Sequence, residues 1–144
     1  MDRDTIKQTS EAVMQVYRDL ESVPVERTCT GIAECCQFKL TGRTPYLTAG
    51  EALVAARAWK ATGRKELPEH NEKACLFLGK DLKCKIYQSR PFGCRTHFCS
   101  AAGGPYGRKE VIHLIRRMEQ IDGALGGQGA LPIRTAVEKA LKSM

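Results

Sequence analysis

The seven cysteines of this chain all lie between residues 29 and 99. Thiolate sulfur is a soft ligand that binds zinc, copper(I) and iron–sulfur clusters, and a four-coordinate centre takes its ligands from two or more chain segments. The cysteines form three groups, which are Cys29 with Cys35 and Cys36, then Cys75 with Cys84, then Cys94 with Cys99 and the intervening His97. This spacing predicts a metal centre assembled from the three groups.

The number of donors leaves two kinds of centre open. Seven thiols and His97 are eight candidate ligands, which would suit two tetrahedral zinc sites, whereas one four-iron cluster would use four thiolates and leave three cysteines over. Side chains of adjacent residues in extended chain point in opposite directions. Cys35 and Cys36 are therefore expected to serve two metals, or one metal and the core.

The residues around Cys94 are expected to support the same centre. His97 follows Cys94 by three residues and so shares its face of a helical turn, where it would either bind the metal or donate a hydrogen bond to a sulfur. Arg95 is predicted to bind the cofactor, because a guanidinium offsets the negative charge of thiolates. His70 and His113 have no such neighbours, and we expect both to face solvent.

Two other uses of cysteine are less consistent with the sequence. The chain has no apolar run long enough to cross a membrane, and its first residues lack the pattern of a secretory signal, which predicts a cytoplasmic protein. Disulfides are disfavoured in that compartment, and the number of cysteines is odd. Cysteines that only fill a core would be expected in the apolar stripes, but these seven avoid the strongest helical patterns.

Apolar periodicity predicts four longer helices, over residues 5–20, 49–62 and 108–121 and from about 132 onwards. Thr48 and Glu51 form a capping box, Trp59 is expected in the core, and Pro91 begins a helical turn that carries Cys94. The β-prone runs at 75–78 and 84–87 predict a hairpin. The expected fold is a single domain over residues 1–144, mainly α with a small β-hairpin (α+β), its irregular cysteine-rich middle organised around a metal centre.

The sequence resembles a known cysteine-cluster family in three stretches. These are CTGIAECC at 29–36, CLFL at 75–78 and CKIYQSRPFGCR at 84–95, and they resemble the CxxCxxCC zinc- or iron-chelating proteins, the YkgJ-type family. The second cysteine of the family pattern falls on Ile32, so this chain has one candidate ligand fewer. The resemblance implies zinc or iron binding. It also covers the cysteine-rich part of flagellin lysine-N-methylase, which implies an iron–sulfur cluster as an alternative.

Three classes of function are compatible with these residues. The first is a metal-binding module that contains zinc, iron or an iron–sulfur cluster. The second is an iron–sulfur enzyme or enzyme partner in methyl or electron transfer, although the sequence has no acid/base pair or nucleotide motif and leaves catalysis undecided. The third, with the least support, is a nucleic-acid binder using Arg108, Lys109, Arg116 and Arg117. The net charge of +7 would fall once the cysteines bind metal as thiolates, and the aromatic content of 6% leaves few stacking platforms.

Overall fold

The computed structural model describes residues 1–22, 45–64, 66–69, 75–79, 84–96 and 108–144. Along the chain these residues form helix α1 (Arg3–Glu21), strand β1 (Tyr46–Leu47), helix α2 (Ala49–Ala61), a 3-10 turn (Tyr87–Ser89), helix α3 (Phe92–Thr96), helix α4 (Arg108–Ala124), strand β2 (Leu131–Pro132) and helix α5 (Ile133–Ser143). We refer to α1, α2, α4 and α5 as the helical frame, and to residues 75–79 and 84–96 as the cysteine strip.

Each helix of the frame follows the stripe that its sequence predicts. Helix α1 begins after Asp2, whose carboxylate accepts a hydrogen bond of 2.7 Å from the Thr5 backbone N–H. The apolar residues of its stripe that become buried are Val13, Val16, Tyr17 and Leu20. Helix α4 extends to Ala124, and α5 buries Ile133, Ala136, Val137 and Ala140. The four predicted longer helices are confirmed.

Helix α2 lies between two apolar clusters and belongs to both. The first cluster consists of Leu47, Ala52, Ala55, Ala56, Trp59, Cys75, Phe77, Ile86, Ile133, Ala136, Val137 and Ala140. The second consists of Val13, Val16, Tyr17, Leu20, Val54, Phe92, Val111, Leu114 and Met118. Trp59 is 1% exposed and its ring packs against Phe77 with 5.6 Å between centroids, which confirms its expected place in the core.

Asp122 joins the end of α4 to the start of α2. One carboxylate oxygen accepts from the Ala49 backbone N–H at 2.7 Å, and the other accepts from the Gly129 N–H at 3.0 Å. The glycine-rich turn that follows α4 needs positive φ at Gly126 (75°) and Gly129 (106°), a conformation that suits glycine. The turn carries the chain into β2, which pairs antiparallel with β1.

The predicted class, mainly helical with a small antiparallel β element, is confirmed, but the strands differ from the expected ones. Among the described residues, the regular strand pair is β1 with β2, from distant parts of the chain. The predicted hairpin at 75–87 is reduced to one antiparallel bridge between Leu78 and Cys84, and its second arm turns into the 3-10 turn at Tyr87. The extended piece expected at 37–40 lies outside the described residues.

Candidate metal centre

The bridge in the cysteine strip pairs Leu78 with Cys84, and Cys75 lies one turn before Leu78. The Leu78 N–H donates to the Cys75 carbonyl at 3.0 Å, and Leu78 pairs with Cys84 across the bridge. The neighbouring Lys85 N–H donates to the Phe77 carbonyl at 2.8 Å. Cys75 is buried in the first cluster and Cys84, half-buried, packs against it. The segments that carry the two cysteines are therefore adjacent, through one bridge instead of a regular hairpin, and the expected meeting of Cys75 with Cys84 stays a prediction.

Cys94 is buried on the short helix α3, which begins at Phe92, one residue later than the sequence predicts. The Pro91 carbonyl accepts from the N–H groups of Cys94 and Arg95 at 3.1 and 3.2 Å, so the proline precedes the first turn instead of lying within it. A helix of this length leaves most of its backbone groups without partners inside the helix. Contacts from outside α3 must therefore help to hold it.

Glu51 supplies one of those contacts from helix α2. Its Oε1 accepts from the Phe92 backbone N–H at 2.8 Å, which ties the first residue of α3 to α2. Its Oε2 accepts from both the backbone N–H and the hydroxyl of Thr48, each at 2.8 Å, so the predicted capping pair is present. Burial raises the pKa of Glu51, and the hydrogen bonds from Thr48 and Phe92 oppose that rise.

Arg95 supplies the second contact, from within α3. Its Nε donates to the Arg90 carbonyl at 2.7 Å and its Nη2 donates to the Gln88 carbonyl at 2.6 Å, which fixes the preceding turn. Its Nη1 lies 3.3 Å from the Glu21 carboxylate, which is 70% exposed. Burial lowers the pKa of the guanidinium, but an arginine stays protonated in a protein. A buried positive charge therefore adjoins Cys94, and its predicted contact with a cofactor stays a prediction.

Tyr17 of helix α1 packs against Arg95, the chain neighbour of Cys94. The Arg95 guanidinium carbon lies 4.1 Å from the centroid of the Tyr17 ring. The ring is 1% exposed, and among the described residues its hydroxyl has no hydrogen-bond partner. Burial raises the pKa of Tyr17 well above its ordinary value; the charges of Glu51 and Cys94 add to the rise, and Arg95 opposes it. The sequence pattern indicated only a core residue here, because helical periodicity does not report where a hydroxyl points.

The described residues contain part of the predicted ligand set. Cys29, Cys35, Cys36, His97 and Cys99 lie outside them, as does His70. Within the described ranges, no group of three or more His, Cys, Asp or Glu side chains is close enough to hold a metal ion. Cys75, Cys84 and Cys94 do not form a complete site by themselves, and the ligand set stays a prediction. His113 is exposed, as expected.

Other features of the described residues bear on the alternative functions. The Arg117 Nη1 forms an ion pair with the Asp19 carboxylate, whereas Arg116 is exposed. The side chains of Arg108 and Lys109 are not described. An apolar cleft of about 200 Å³ lies between α2, the glycine turn and α5, and none of the described residues that line it is a cysteine or histidine. No helix in the described ranges has the length and apolarity needed to span a membrane.

Comparison with known proteins gives one match. Residues 28–118 match the family model described as "CxxCxxCC: Putative zinc- or iron-chelating domain". The matched range is more than half of the chain and contains all seven cysteines, His97, Glu51 and Arg95. Helix α1 with Tyr17 and helix α5 lie outside it. No curated protein and no solved structure matches the chain.

Proposed function

The chain belongs to the CxxCxxCC family of zinc- or iron-chelating domains, and from that premise we propose that it is a metal-binding module whose cysteine thiolates hold zinc or iron. The observation that carries the proposal is that the family match encloses all three cysteine groups. The proposed ligands are Cys29, Cys35, Cys36, Cys75, Cys84, Cys94 and Cys99, with His97 as a ligand or as a donor to sulfur.

The described part of the donor set fits a soft metal. Cys84 is paired with Leu78 in the bridge, Cys75 lies three residues before Leu78, and Cys94 comes from a separate helix. Cys75 and Cys94 are buried, so their thiolates would be costly in the apolar interior without a cation to offset the charge. Arg95 supplies one nearby positive charge. A bound metal would supply the rest and would require the thiols to be deprotonated.

Within this proposal, the metal stabilises the middle of the chain. The cysteine strip has few regular backbone hydrogen bonds of its own and is fastened by Glu51 and Arg95. Structural zinc contributes on the order of 10 kcal/mol in small peptides, which is comparable with the whole stability of a domain of this size. The centre would thus add to the stability that the strip gains from the few side chains it buries in the two clusters.

Metal analysis and absorption spectroscopy of the anaerobically purified protein test the proposal. Zinc has a filled d shell and gives a colourless protein, whereas iron–sulfur clusters are coloured. About two zinc ions per chain would support the module with two tetrahedral sites. Iron with acid-labile sulfide would support the iron–sulfur module and its link to electron or methyl transfer. A protein that binds neither zinc nor iron after reconstitution would overturn the proposal.

Single serine substitutions sharpen the ligand assignment. Cys84→Ser is the most informative, because Cys84 is half-buried and loses less packing than Cys75 or Cys94. Cys75→Ser and the double variant Cys75→Ser/Cys84→Ser complete the set. If Cys75 and Cys84 bind one ion, the double variant should retain as much metal per chain as either single variant. Unfolding of each variant with a chelator present measures the packing loss separately. Full metal content in all three variants would exclude these cysteines as ligands.

A further inference from the structure

The Tyr17 hydroxyl is a buried polar group that finds no hydrogen-bond partner in the described part of the chain. Burying a hydroxyl without a partner costs about 1–3 kcal/mol, and buried polar groups in proteins are nearly always hydrogen-bonded. A phenylalanine would fill the same volume in the second cluster without that cost. The other unpartnered hydroxyl in the described ranges, on Ser10, differs, because a short serine side chain in a helix can rotate towards a carbonyl of the preceding turn.

The charged groups around Tyr17 limit which atom could accept a hydrogen bond from its hydroxyl. Arg95 stacks on the ring and has only donors, so it cannot accept from the hydroxyl. Glu51 already accepts three hydrogen bonds, from Thr48 and Phe92. The third group whose charge acts on Tyr17 is Cys94, a proposed metal ligand. The Tyr17 hydroxyl carries an O–H and can therefore act as a donor.

We infer that the Tyr17 hydroxyl is a hydrogen-bond donor to the metal centre, and that its acceptor is a ligating thiolate on the side of Cys94. The inference rests on the proposed metal binding and extends it to helix α1, which lies outside the family match. Tyr17 is a positioning residue: it orients and partly neutralises a thiolate without binding metal. Groups that bond to metal ligands in this way typically change affinity 10- to 100-fold when removed.

The substitution Tyr17→Phe tests this role because its effect changes sign between the two states of the protein. In the metal-free protein it removes an unsatisfied hydroxyl, so the free energy of unfolding should stay the same or rise. In the metal-bound protein it removes a hydrogen bond, so the dissociation constant for zinc in chelator competition should rise about tenfold. The matched control is Tyr46→Phe, since Tyr46 is 59% exposed and should leave both quantities unchanged.

A spectroscopic measurement separates positioning from packing. The sulfur-to-metal charge-transfer band of the cobalt(II)-substituted protein reports the electron density on the ligating sulfur, and it should shift in Tyr17→Phe but not in Tyr46→Phe. Unchanged zinc affinity and an unchanged band in Tyr17→Phe would overturn the inference. So would an equal loss of stability with and without metal, which would indicate a structural partner. If the wild-type protein binds no metal, the proposed function fails first, at the metal analysis, and this inference fails with it.

Discussion

The helical frame consists of helices of 11 to 19 residues, whereas the described parts of the cysteine strip contain a helix of five residues, a 3-10 turn of three and one bridge. The frame buries continuous apolar stripes, and each helix satisfies its own backbone. The strip depends on two side chains that bond to its backbone, Glu51 from α2 and Arg95 from within the strip itself. Hydrophobic burial along whole helices therefore holds the frame, whereas the strip buries single side chains such as Phe77, Ile86 and Phe92 and relies in addition on a few polar contacts and the proposed metal.

Metal removal should have the largest effect and should separate the two regions. In hydrogen-exchange measurements with a chelator present, amides of the cysteine strip should lose protection, because the contribution of the metal is on the order of 10 kcal/mol. Amides of α1 and α4, packed through the second cluster, should keep most of theirs. Equal loss of protection in both regions would show that the frame and the strip form one cooperative unit.

Glu51→Ala should have the next largest effect, because this carboxylate belongs to both regions. It removes the cap of α2 and leaves the Phe92 N–H of α3 without a partner, at a cost of roughly 2–4 kcal/mol in the free energy of unfolding. Chemical denaturation measures the loss. The control is Glu11→Ala, an exposed position in the middle of α1 that should change stability by less than about 0.5 kcal/mol.

Glu51 should also give the chain a specific pH dependence. Its pKa in the folded protein lies above the ordinary value of 4.5, so between those two values the folded state binds more protons than the unfolded state. The contribution of Glu51 is full below pH 4.5 and falls as pH rises through the folded pKa. Unfolding with a chelator present should therefore show a decline with pH in wild type that is weaker in Glu51→Gln. The same dependence of unfolding free energy on pH in wild type and Glu51→Gln would contradict this role of Glu51.

Arg95→Lys should cost less and should affect mainly the strip. A lysine cannot reproduce the two hydrogen bonds to the Gln88 and Arg90 carbonyls, and we expect a loss of about 2 kcal/mol. The pair with Glu21 should contribute little, because that carboxylate is well exposed. Arg116→Lys, an exposed control on α4, should have no measurable effect. If both variants unfold like wild type, Arg95 does not fasten the strip.

Gly127→Ala should have the smallest destabilising effect and is confined to the frame. A Cβ at this position would overlap the Asp122 carboxylate, which would have to shift away from Ala49 and Gly129, for a loss of about 1–2 kcal/mol. Gly123, four residues before Gly127, provides a contrast. It lies in α4 with nothing near its Cβ position, so Gly123→Ala should stabilise by about 0.5–1 kcal/mol. Thermal unfolding would show whether Gly127→Ala lowers the melting temperature and Gly123→Ala raises it.

The helices of the frame could be predicted from the sequence because the pattern that indicates each helix lies within that helix. The stripe of α1, the capping pair of α2 and the periodicity of α4 each lie within one helix and predicted it closely. The pairing of β1 with β2 has no such pattern, since two-residue strands show no alternation. The bond from Glu51 to Phe92 spans 41 residues, and no spacing in the sequence indicates it.

For the candidate site, the sequence predicted which residues would take part but not how they are arranged. Thiol chemistry and grouping predicted which residues would bind metal, and the family match supports zinc or iron chelation. The orphan hydroxyl of Tyr17 could not be inferred, because a tyrosine in an apolar stripe looks the same whether its oxygen reaches solvent, a partner or neither. The ligand set and the cytoplasmic location stay predictions.

Trp59, the one tryptophan of the chain, packs on Phe77 inside the cluster that contains Cys75 and against which Cys84 packs. Its indole N–H donates to the Glu66 carbonyl at 3.1 Å, which holds the ring in one orientation. The protein thus carries a built-in fluorophore beside its proposed ligands. Iron would quench the emission of such a fluorophore by energy transfer, whereas zinc, with its filled d shell, has no absorption to receive that energy. The fluorescence of Trp59 would then distinguish bound iron from bound zinc without any added label.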